Sequence, residues 1–233
     1  MIALSIIGCT GKTGQFLKEL IDKKASWSEK YKIVDLINSK NNPSSISQDS
    51  ELVIDFSSRQ VSLEWAEKLK SSSVPCLIAS TGFTDSDLEL LNKLHSQKAW
   101  TLAPNCSLGV YHLKKALEEI IFHSPLNWKA KISESHHTHK LDAPSGTAKF
   151  LAESFESDSN QSAQLGDIES IREGDVVGKH QIHLSTEYEE ISLSHNALDR
   201  RLFADGALSL GIELHKKASL AQFYPLSSLI DSP

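Results

Sequence analysis

The hydrophobic positions in the first part of the chain alternate between two periods. Short apolar runs of strand length recur, and several are separated by stretches in which apolar residues repeat at helical spacing. Strands that are apolar at nearly every position are buried on both faces, so this alternation predicts a parallel sheet covered by helices. The predicted strands are 2–7, 31–37, 52–56, 74–79 and 99–103, and the predicted helices are 14–23, 61–69 and 88–94.

After about residue 105 the pattern becomes that of a mixed α+β module. The spacing predicts helices at 108–122 and 146–155, a strand at 127–134, and strands at 180–186 and 187–195 with a short gap between them. Two polar segments, 41–50 and 156–167, are predicted to be exposed loops. A last helix, at 206–220, is predicted to pack back on the first module.

Composition narrows the classes of function. The chain has 233 residues and a formal net charge of −6 without a long basic run, which argues against a nucleic-acid partner. Cys9, Cys76 and Cys106 are scattered without a CxxC pair, which argues against disulfides and zinc and favours the cytoplasm. No apolar run is long enough to cross a bilayer, so no membrane partner is expected.

The first predicted strand leads directly into the glycine-rich segment GCTGKTG, residues 8–14, and a helix follows at once. In dinucleotide folds such glycines allow a tight turn and close approach of the backbone to a pyrophosphate at the helix N-terminus. The spacing is GxxGxxG, with Thr10 where the usual fingerprint has its second glycine, and a plain turn is the alternative interpretation. A Walker-type loop fits worse, because Gly8 stands only three residues before Gly11.

These patterns predict an α/β protein with a Rossmann-type dinucleotide-binding domain, formed by 1–106 plus 207–233, and a second α+β domain at 107–206. The end of the second strand decides the cofactor, because an acidic residue there binds the ribose hydroxyls of NADH. Asp35 lies at about the right distance but inside the apolar run, whereas the strand ends in the neutral-to-basic Asn38-Ser39-Lys40. NADPH is therefore slightly favoured, with NADH left open.

The segment 134–148, ESHHTHKLDAPSGTA, carries the densest chemistry. Its three histidines invite a metal site, but the adjacent Lys140 would repel a divalent ion, and no metal is predicted. Histidine and lysine together suit proton transfer at neutral pH. Ser145 is a plausible N-cap, which would turn the N–H groups of Gly146 and Thr147 toward a carboxylate. An exposed polar loop is the alternative.

This segment resembles the dihydrodipicolinate reductase signature, E-x-H-H-x-x-K-x-D-A-P-S-G-T-A, and the match is highly specific. The similarity covers most of the chain and includes 8–14, 54–57, 80–83, 103–107, 172–180 and 200–207. The resemblance implies NAD(P)H-dependent reduction of 4-hydroxy-tetrahydrodipicolinate (dihydrodipicolinate), a small dicarboxylate, to tetrahydrodipicolinate on the diaminopimelate route to lysine. It also implies a homotetramer joined through the second domain, which would bind substrate and oligomerise.

Residue by residue, the resemblance makes His136 the general acid/base and Lys140 the second proton donor and carboxylate partner. It implies that the substrate binders are His137, Ser145, Gly146 and Thr147. The implied cofactor contacts are Gly8, Cys9, Thr10, Gly11, Lys12, Thr13, Ala79, Ser80, Thr81, Pro104, Asn105, Cys106 and Ser107.

Two departures from the family pattern bear on the cofactor. Lys12-Thr13 stands where the family usually has Arg-Met, and Cys106 stands where it usually has Phe. Lysine neutralises a phosphate as a point charge, without the fork geometry of arginine. Related nicotinamide enzymes for other small anions, and a cofactor-binding sensor without catalysis, are the competing hypotheses.

Overall fold

The structure is a computed structural model that describes residues 1–157 and 162–231. Its contacts divide the chain into two compact units, one formed by Met1–Cys106 with Arg201–Pro233 and the other by Ser107–Arg200. The chain returns to the first unit between Arg200 and Arg201, whereas the sequence predicted this boundary between residues 206 and 207. The difference arises because the returning helix already begins at Arg201. The functions assigned to the two predicted domains stay predictions at this point.

The first unit is a five-stranded parallel sheet with helices. Its strands are β1 Ile2–Ile7, β2 Tyr31–Ile37, β3 Leu52–Asp55, β4 Cys76–Ile78 and β5 Trp100–Leu102. Its helices are α1 Lys12–Lys23, α2 Ala25–Ser28, α3 Arg59–Lys68, α4 Asp85–Leu94, α7 Arg201–Lys216 and α8 Leu226–Ile230.

The strand order β2-β1-β3-β4-β5 confirms the predicted Rossmann-type fold. All neighbouring strands run parallel, and β1 lies between β2 and β3. The connections therefore leave β1 in opposite directions along the sheet, which opens a crevice at the carboxyl ends of the strands. The core around Val53, Ile78, Trp65 and Leu91 holds these ends in fixed positions.

The second unit is a four-stranded mixed sheet with two helices. Its elements are α5 Leu108–His123, β6 Trp128–His136, α6 Gly146–Glu156, β7 Ala163–Arg172, β8 Gly178–Ser185 and β9 Glu190–Ala197. The order is β7-β6-β8-β9, with β6 parallel to β7 and antiparallel to β8. Leu117, Leu151 and Ile182 belong to the core between the helices and one face of this sheet.

Several predicted bounds differ from the structure, and three of these differences bear on the site or on the division between the units. Strand β6 continues to His136, two residues beyond the predicted end. Strand β7 occupies part of the predicted loop 156–167, because alternating polar and half-buried residues can pair with the edge of β6; residues 158–161 of that loop lie outside the described residues. Helix α7 begins at Arg201 instead of 206.

Helix α7 packs on α1, as the sequence predicted for the last helix. None of the helices within 1–157 and 162–231 has the length and apolar character needed to span a membrane.

Candidate functional site

The loop that joins β1 to α1 has the geometry of a phosphate-binding turn. Gly8 has a φ of +80°, and a Cβ there would lie 2.6 Å from the carbonyl of Phe56. A Cβ on Gly14 would lie 2.2 Å from the Gly8 oxygen, so helix and loop pack closely only because both residues are glycine. Helix α1 begins at Lys12, so the N–H groups of its first turn have no partner within the helix and can meet an anion.

An open cavity of about 330 Å³ adjoins this loop. It is formed by the carboxyl ends of β1, β2 and β3, the position at which open parallel sheets bind nucleotides. Its lining residues are Ile7, Gly8, Thr10, Gly11, Ile37, Asn38, Ser39, Asn42, Phe56, Ser57, Ser58, Val61 and Trp65. The residues present therefore fit one half of a dinucleotide.

Asp35 does not have the position of a ribose-binding carboxylate. It accepts hydrogen bonds from the hydroxyl of Ser5 at 2.8 Å and the backbone N–H of Ser47 at 2.6 Å. The cavity is lined instead by Asn38, whose Oδ1 accepts the backbone N–H groups of Lys40 at 2.8 Å and Asn41 at 3.1 Å. The tip of β2 thus carries a neutral amide fixed in a turn.

The loops after β3 and β4 are tied together by a buried carboxylate. Asp55 accepts hydrogen bonds from the Ser57 N–H at 2.8 Å and the Ser62 hydroxyl at 2.5 Å. Ser62 in turn lies 2.6 Å from the hydroxyl of Ser80. Burial raises the pKa of Asp55. This network fixes the backbone of the predicted cofactor loop 79–81.

The predicted cofactor residues lie at the carboxyl ends of three strands. Ala79, Ser80 and Thr81 follow β4, and Pro104, Asn105 and Cys106 follow β5. Ser80 and Cys106 are buried, and Cys106 donates to the Ala103 carbonyl at 3.3 Å. Ser107 is the N-cap of α5 and belongs to the second unit.

In the second unit, one stretch of chain supplies the predicted catalytic and substrate residues. His136 ends β6, the turn 137–140 follows, and Ser145 caps α6 by accepting the Ala148 N–H at 3.2 Å. Gly146 and Thr147 are the first residues of α6. A Cβ on Gly146 would meet no atom within 4 Å, so this helix end faces open space.

Beneath this stretch lies the buried carboxylate of Glu134. Its Oε1 accepts the Ser145 N–H and a guanidinium N–H of Arg172, both at 3.0 Å. Burial raises the pKa of Glu134, but these and neighbouring hydrogen bonds outweigh it and lower the pKa to about 2. Glu134 is therefore an anion at neutral pH.

Two histidines face the other oxygen of Glu134. Its Oε2 lies 3.1 Å from Nδ1 of His136 and 3.7 Å from Nε2 of His180. Nε2 of His180 also lies 3.2 Å from the hydroxyl of Ser145. Burial, helped by the nearby His136, lowers the pKa of His180 to about 4, so this ring is neutral. We call Glu134, His136, His180, Ser145 and Arg172 the Glu134 cluster.

The other predicted residues of the turn are already paired. Arg200 donates to Nε2 of His137 at 2.8 Å. Because that nitrogen accepts a hydrogen bond, His137 is less suited than His136 to donate a proton. Lys140 lies 2.8 Å from Asp142.

One potential metal-ligand atom from each of Glu134, His136 and His180 lies within 4.8 Å of the other two, a spacing that could hold a metal ion. The charges around them argue for a different arrangement. Arg172 already neutralises the carboxylate. Burial lowers the pKa of His136, and the positive charges of Lys140 and Arg172 lower it further. We therefore describe these residues as an acid–base cluster.

The sequence alone indicates no role for Arg172 or His180 in the site, and Glu134 stands out only as part of the motif. One signal was available: Ala130, Ile132, Glu134 and His136 stand at every second position of β6 and are all buried. The predicted strand 127–134 already contains Glu134, and its alternation places this residue on the core face. Arg172 and His180 come from β7 and β8, and only the sheet register brings them there.

A Rossmann-type sheet with a glycine loop, together with an acid–base cluster beside a helix N-terminus, defines an oxidoreductase that uses a nicotinamide nucleotide. Comparison with protein families identifies the family within this class. The chain matches the N-terminal model of dihydrodipicolinate reductase over residues 2–106 and the C-terminal model over residues 109–230. It belongs to the dihydrodipicolinate reductase family.

Individual relatives agree. The chain is 32% identical over 206 residues to the 4-hydroxy-tetrahydrodipicolinate reductase of Buchnera aphidicola subsp. Cinara cedri, covering 81% of this chain and 75% of the relative. It is 31% identical over 245 residues to that of Rickettsia bellii, covering 96% and 95%. Among solved structures, a dipicolinate-bound dihydrodipicolinate reductase from Paenisporosarcina sp. TG-14 has the same fold, with a TM-score of 0.75, 21% identity and complete coverage of both chains.

Proposed function

We propose that this chain reduces 4-hydroxy-tetrahydrodipicolinate to tetrahydrodipicolinate on the diaminopimelate route to lysine. The observation that carries the proposal is that one short stretch of chain around the buried Glu134 holds His136, Lys140 and the N-terminus of α6. That stretch holds a proton donor, a cation and an anion-binding helix end, which are the groups that reduction of a dicarboxylate needs. The specific reaction is taken from the activity for which the relatives are named.

On the substrate side, the N-terminus of α6 would bind one carboxylate and Lys140 the other. Gly146 leaves the helix end open, so a planar carboxylate can approach its N–H. The dipicolinate bound to the solved relative is a dicarboxylate of this class. His137 would contact the substrate while its ring is oriented by Arg200.

The protein supplies the proton of the reduction. The 4-hydroxyl of the substrate must leave as water, and the reduction adds a hydride and a proton across a double bond of the resulting ring. His136 would donate that proton from Nε2. Lys140 would provide the second donor and hold the carboxylate beside it. Arg172 binds the Lys140 carbonyl at 3.3 Å and so fixes the turn that carries this lysine.

A nicotinamide nucleotide supplies the hydride when it is bound. The loop Gly8–Thr13 would hold its pyrophosphate, and the loops 79–81 and 104–107 would flank the nicotinamide end. We propose NADPH as the preferred form, because the tip of β2 presents Asn38 and no carboxylate to the ribose. Lys40, two residues further on, adds a positive charge to that turn.

Oxidation of NADPH, and then of NADH, by the freshly generated product of dihydrodipicolinate synthase tests the activity. We expect substrate-dependent oxidation that is reduced by about 100-fold or more in His136→Ala and Lys140→Ala. Lys149→Ala, which removes an exposed lysine from α6, is the matched control and should keep full activity. A folded protein that binds NADPH but oxidises neither cofactor would reject the proposal.

We also propose that the chain forms a homotetramer through the sheet of the second unit. Helices α5 and α6 cover one face of that sheet, and the other face carries polar pairs such as Lys131 with Glu169 at 2.7 Å. Sedimentation should give four times the 25.7 kDa of one chain. A monomer at working concentration would contradict this assembly.

A further inference from the structure

Glu134 lies deeper than any residue to which a role in the reaction has been given above. Only 1% of its surface is exposed, and its strand neighbour two positions on is His136, on the same face of β6. A carboxylate in such a place is costly unless positive charge and hydrogen bonds compensate for its burial. The groups around its two oxygens therefore show what the residue does.

The two oxygens serve different parts of the site. Oε1 accepts the backbone N–H of Ser145, the residue that caps α6, and is neutralised by Arg172. Oε2 lies 3.1 Å from Nδ1 of His136. One side chain thus contacts both the imidazole and the start of the substrate-binding helix.

The negative charge beside His136 also favours one tautomer of its ring. An ionised carboxylate can only accept hydrogen bonds, so the proton on that side of the imidazole belongs on Nδ1. Nδ1 is sealed from solvent and has no hydrogen bond of good geometry, so the Glu134 carboxylate 3.1 Å away acts on it through its charge. This orientation leaves Nε2 as the nitrogen that exchanges a proton with a ligand.

We propose that Glu134 is a positioning residue for the reduction: it holds His136 as the Nδ1–H tautomer, with Nε2 toward the substrate, and it fixes the N-terminus of α6 at the same time. The inference rests on the proposed role of His136. It assigns Glu134 no contact with the substrate. The proton that reaches the substrate comes from Nε2, and the carboxylate stabilises the imidazolium before transfer.

Other charges also act on His136, and the test must separate them from Glu134. Lys140 and Asp142 face it from the turn, Arg172 from β7 and His180 from β8. Lys140 and Arg172 disfavour the imidazolium, whereas Glu134 and Asp142 favour it. Removal of the Glu134 charge alone leaves an excess of positive charge around the ring.

Glu134→Gln is the decisive variant, because it keeps the shape and the acceptor oxygen for Ser145 and Arg172. Its amide can donate to Nδ1, which moves the ring proton to Nε2. We expect kcat to fall by about 100-fold or more, with little change in KM for the dicarboxylate. The apparent pKa of the acid limb in the pH profile should fall, and Glu134→Asp should restore part of the rate.

The imidazole tautomer is read directly by nitrogen chemical shifts of His136 in labelled protein, assigned with His136→Gln. The intact chain should show the Nδ1–H form and Glu134→Gln the Nε2–H form. Glu119→Gln, which removes an exposed carboxylate from helix α5 of the same unit, is the matched control and should change neither reading.

Three outcomes would count against the proposal. The proposal is overturned if folded Glu134→Gln has the kcat and the pH profile of the unmodified chain. It is also overturned if His136 has the same tautomer in Glu134→Gln as in the unmodified chain. A loss of rate that follows only a loss of thermal stability, with the pH profile intact, would show a purely structural role. If the intact chain has no reductase activity, the proposed function fails, but the tautomer measurement still tests the placement of the ring.

Discussion

The ammonium of Lys140 lies 2.8 Å from a carboxylate oxygen of Asp142, two residues further along the chain. The side chain of Asp142 is more than half exposed, whereas that of Lys140 is mostly covered. An ion pair with such an exposed partner contributes at most about 1 kcal/mol. A substrate carboxylate can therefore take the lysine from Asp142 at little cost.

From this pair we predict that Asp142→Asn changes kcat/KM by less than about tenfold, the ratio that 1.4 kcal/mol represents. Lys140→Ala should lower kcat/KM far more, because it removes both charge and proton donor. Steady-state kinetics on the two variants measures the difference. Equal losses in both would mean that the ion pair itself, not the lysine, is required.

Ser145→Ala is predicted to weaken substrate binding. The hydroxyl caps α6 and contacts His180, so its loss should lower the free energy of unfolding by about 1 kcal/mol and raise KM for the dicarboxylate. Thr84→Ala removes the comparable cap of α4 in the other unit and is the control. It should reduce stability similarly and leave KM unchanged; a rise in KM in both variants would point to a general effect of destabilisation.

Gly178→Ala is predicted to disturb His136 without removing any polar group. A Cβ at this position would lie 3.0 Å from Nε2 of His136, so the ring must shift. We expect a lower kcat in a protein that still folds and binds the cofactor. Gly166→Ala, on β7, where the new Cβ would come no closer than 3.6 Å to another atom, is the control. An unchanged kcat in Gly178→Ala would show that the position of the ring is not critical.

Asn38→Asp should shift the cofactor preference toward NADH. The aspartate keeps the oxygen that accepts the Lys40 and Asn41 N–H groups, and it adds a negative charge that repels a 2′-phosphate. The ratio of kcat/KM for NADPH to that for NADH should fall by about tenfold or more, which corresponds to about 1.4 kcal/mol. Asn92→Asp adds the same charge on exposed α4 and should not change this ratio.

The buried His95 is predicted to make the protein sensitive to acid. It is 1% exposed, neither ring nitrogen has a partner among the described residues, and burial lowers its pKa from 6.5 to about 3. Above pH 6.5 the ring is neutral in both folded and unfolded states and has no effect. Below pH 6.5 the unfolded chain gains a proton that the folded chain excludes, so stability falls by up to about 1.4 kcal/mol per pH unit until pH approaches 3.

Denaturant unfolding between pH 7 and pH 4 measures this loss. His95→Phe, which keeps a ring beside Trp100, should flatten the dependence, whereas His123→Phe at an exposed position should not. A pH dependence that is the same in His95→Phe and in the unmodified chain would show that other groups cause the acid sensitivity.

Much of the fold follows from local pattern. Runs such as LVID, residues 52–55, are apolar throughout because parallel strands are buried on both faces, and this signal needs no partner to be recognised. The glycine loop could be placed because a strand, GxxGxxG and a helix follow one another directly. Strand β7 escaped detection because its residues alternate between exposed and half-buried, and its order comes from pairing with β6.

The sequence alone determined the Rossmann-type sheet, the glycine loop and the segment 134–148, because each depends on residues that are close along the chain. Its resemblance to the reductase signature identified His136 and Lys140 as candidates. Only the tertiary structure brought Arg172 and His180 to Glu134, since they come from different strands whose register is set by backbone pairing and by a shared buried face. The isolated strand does not show that a buried charge has its counter-ion; the assembled sheet does.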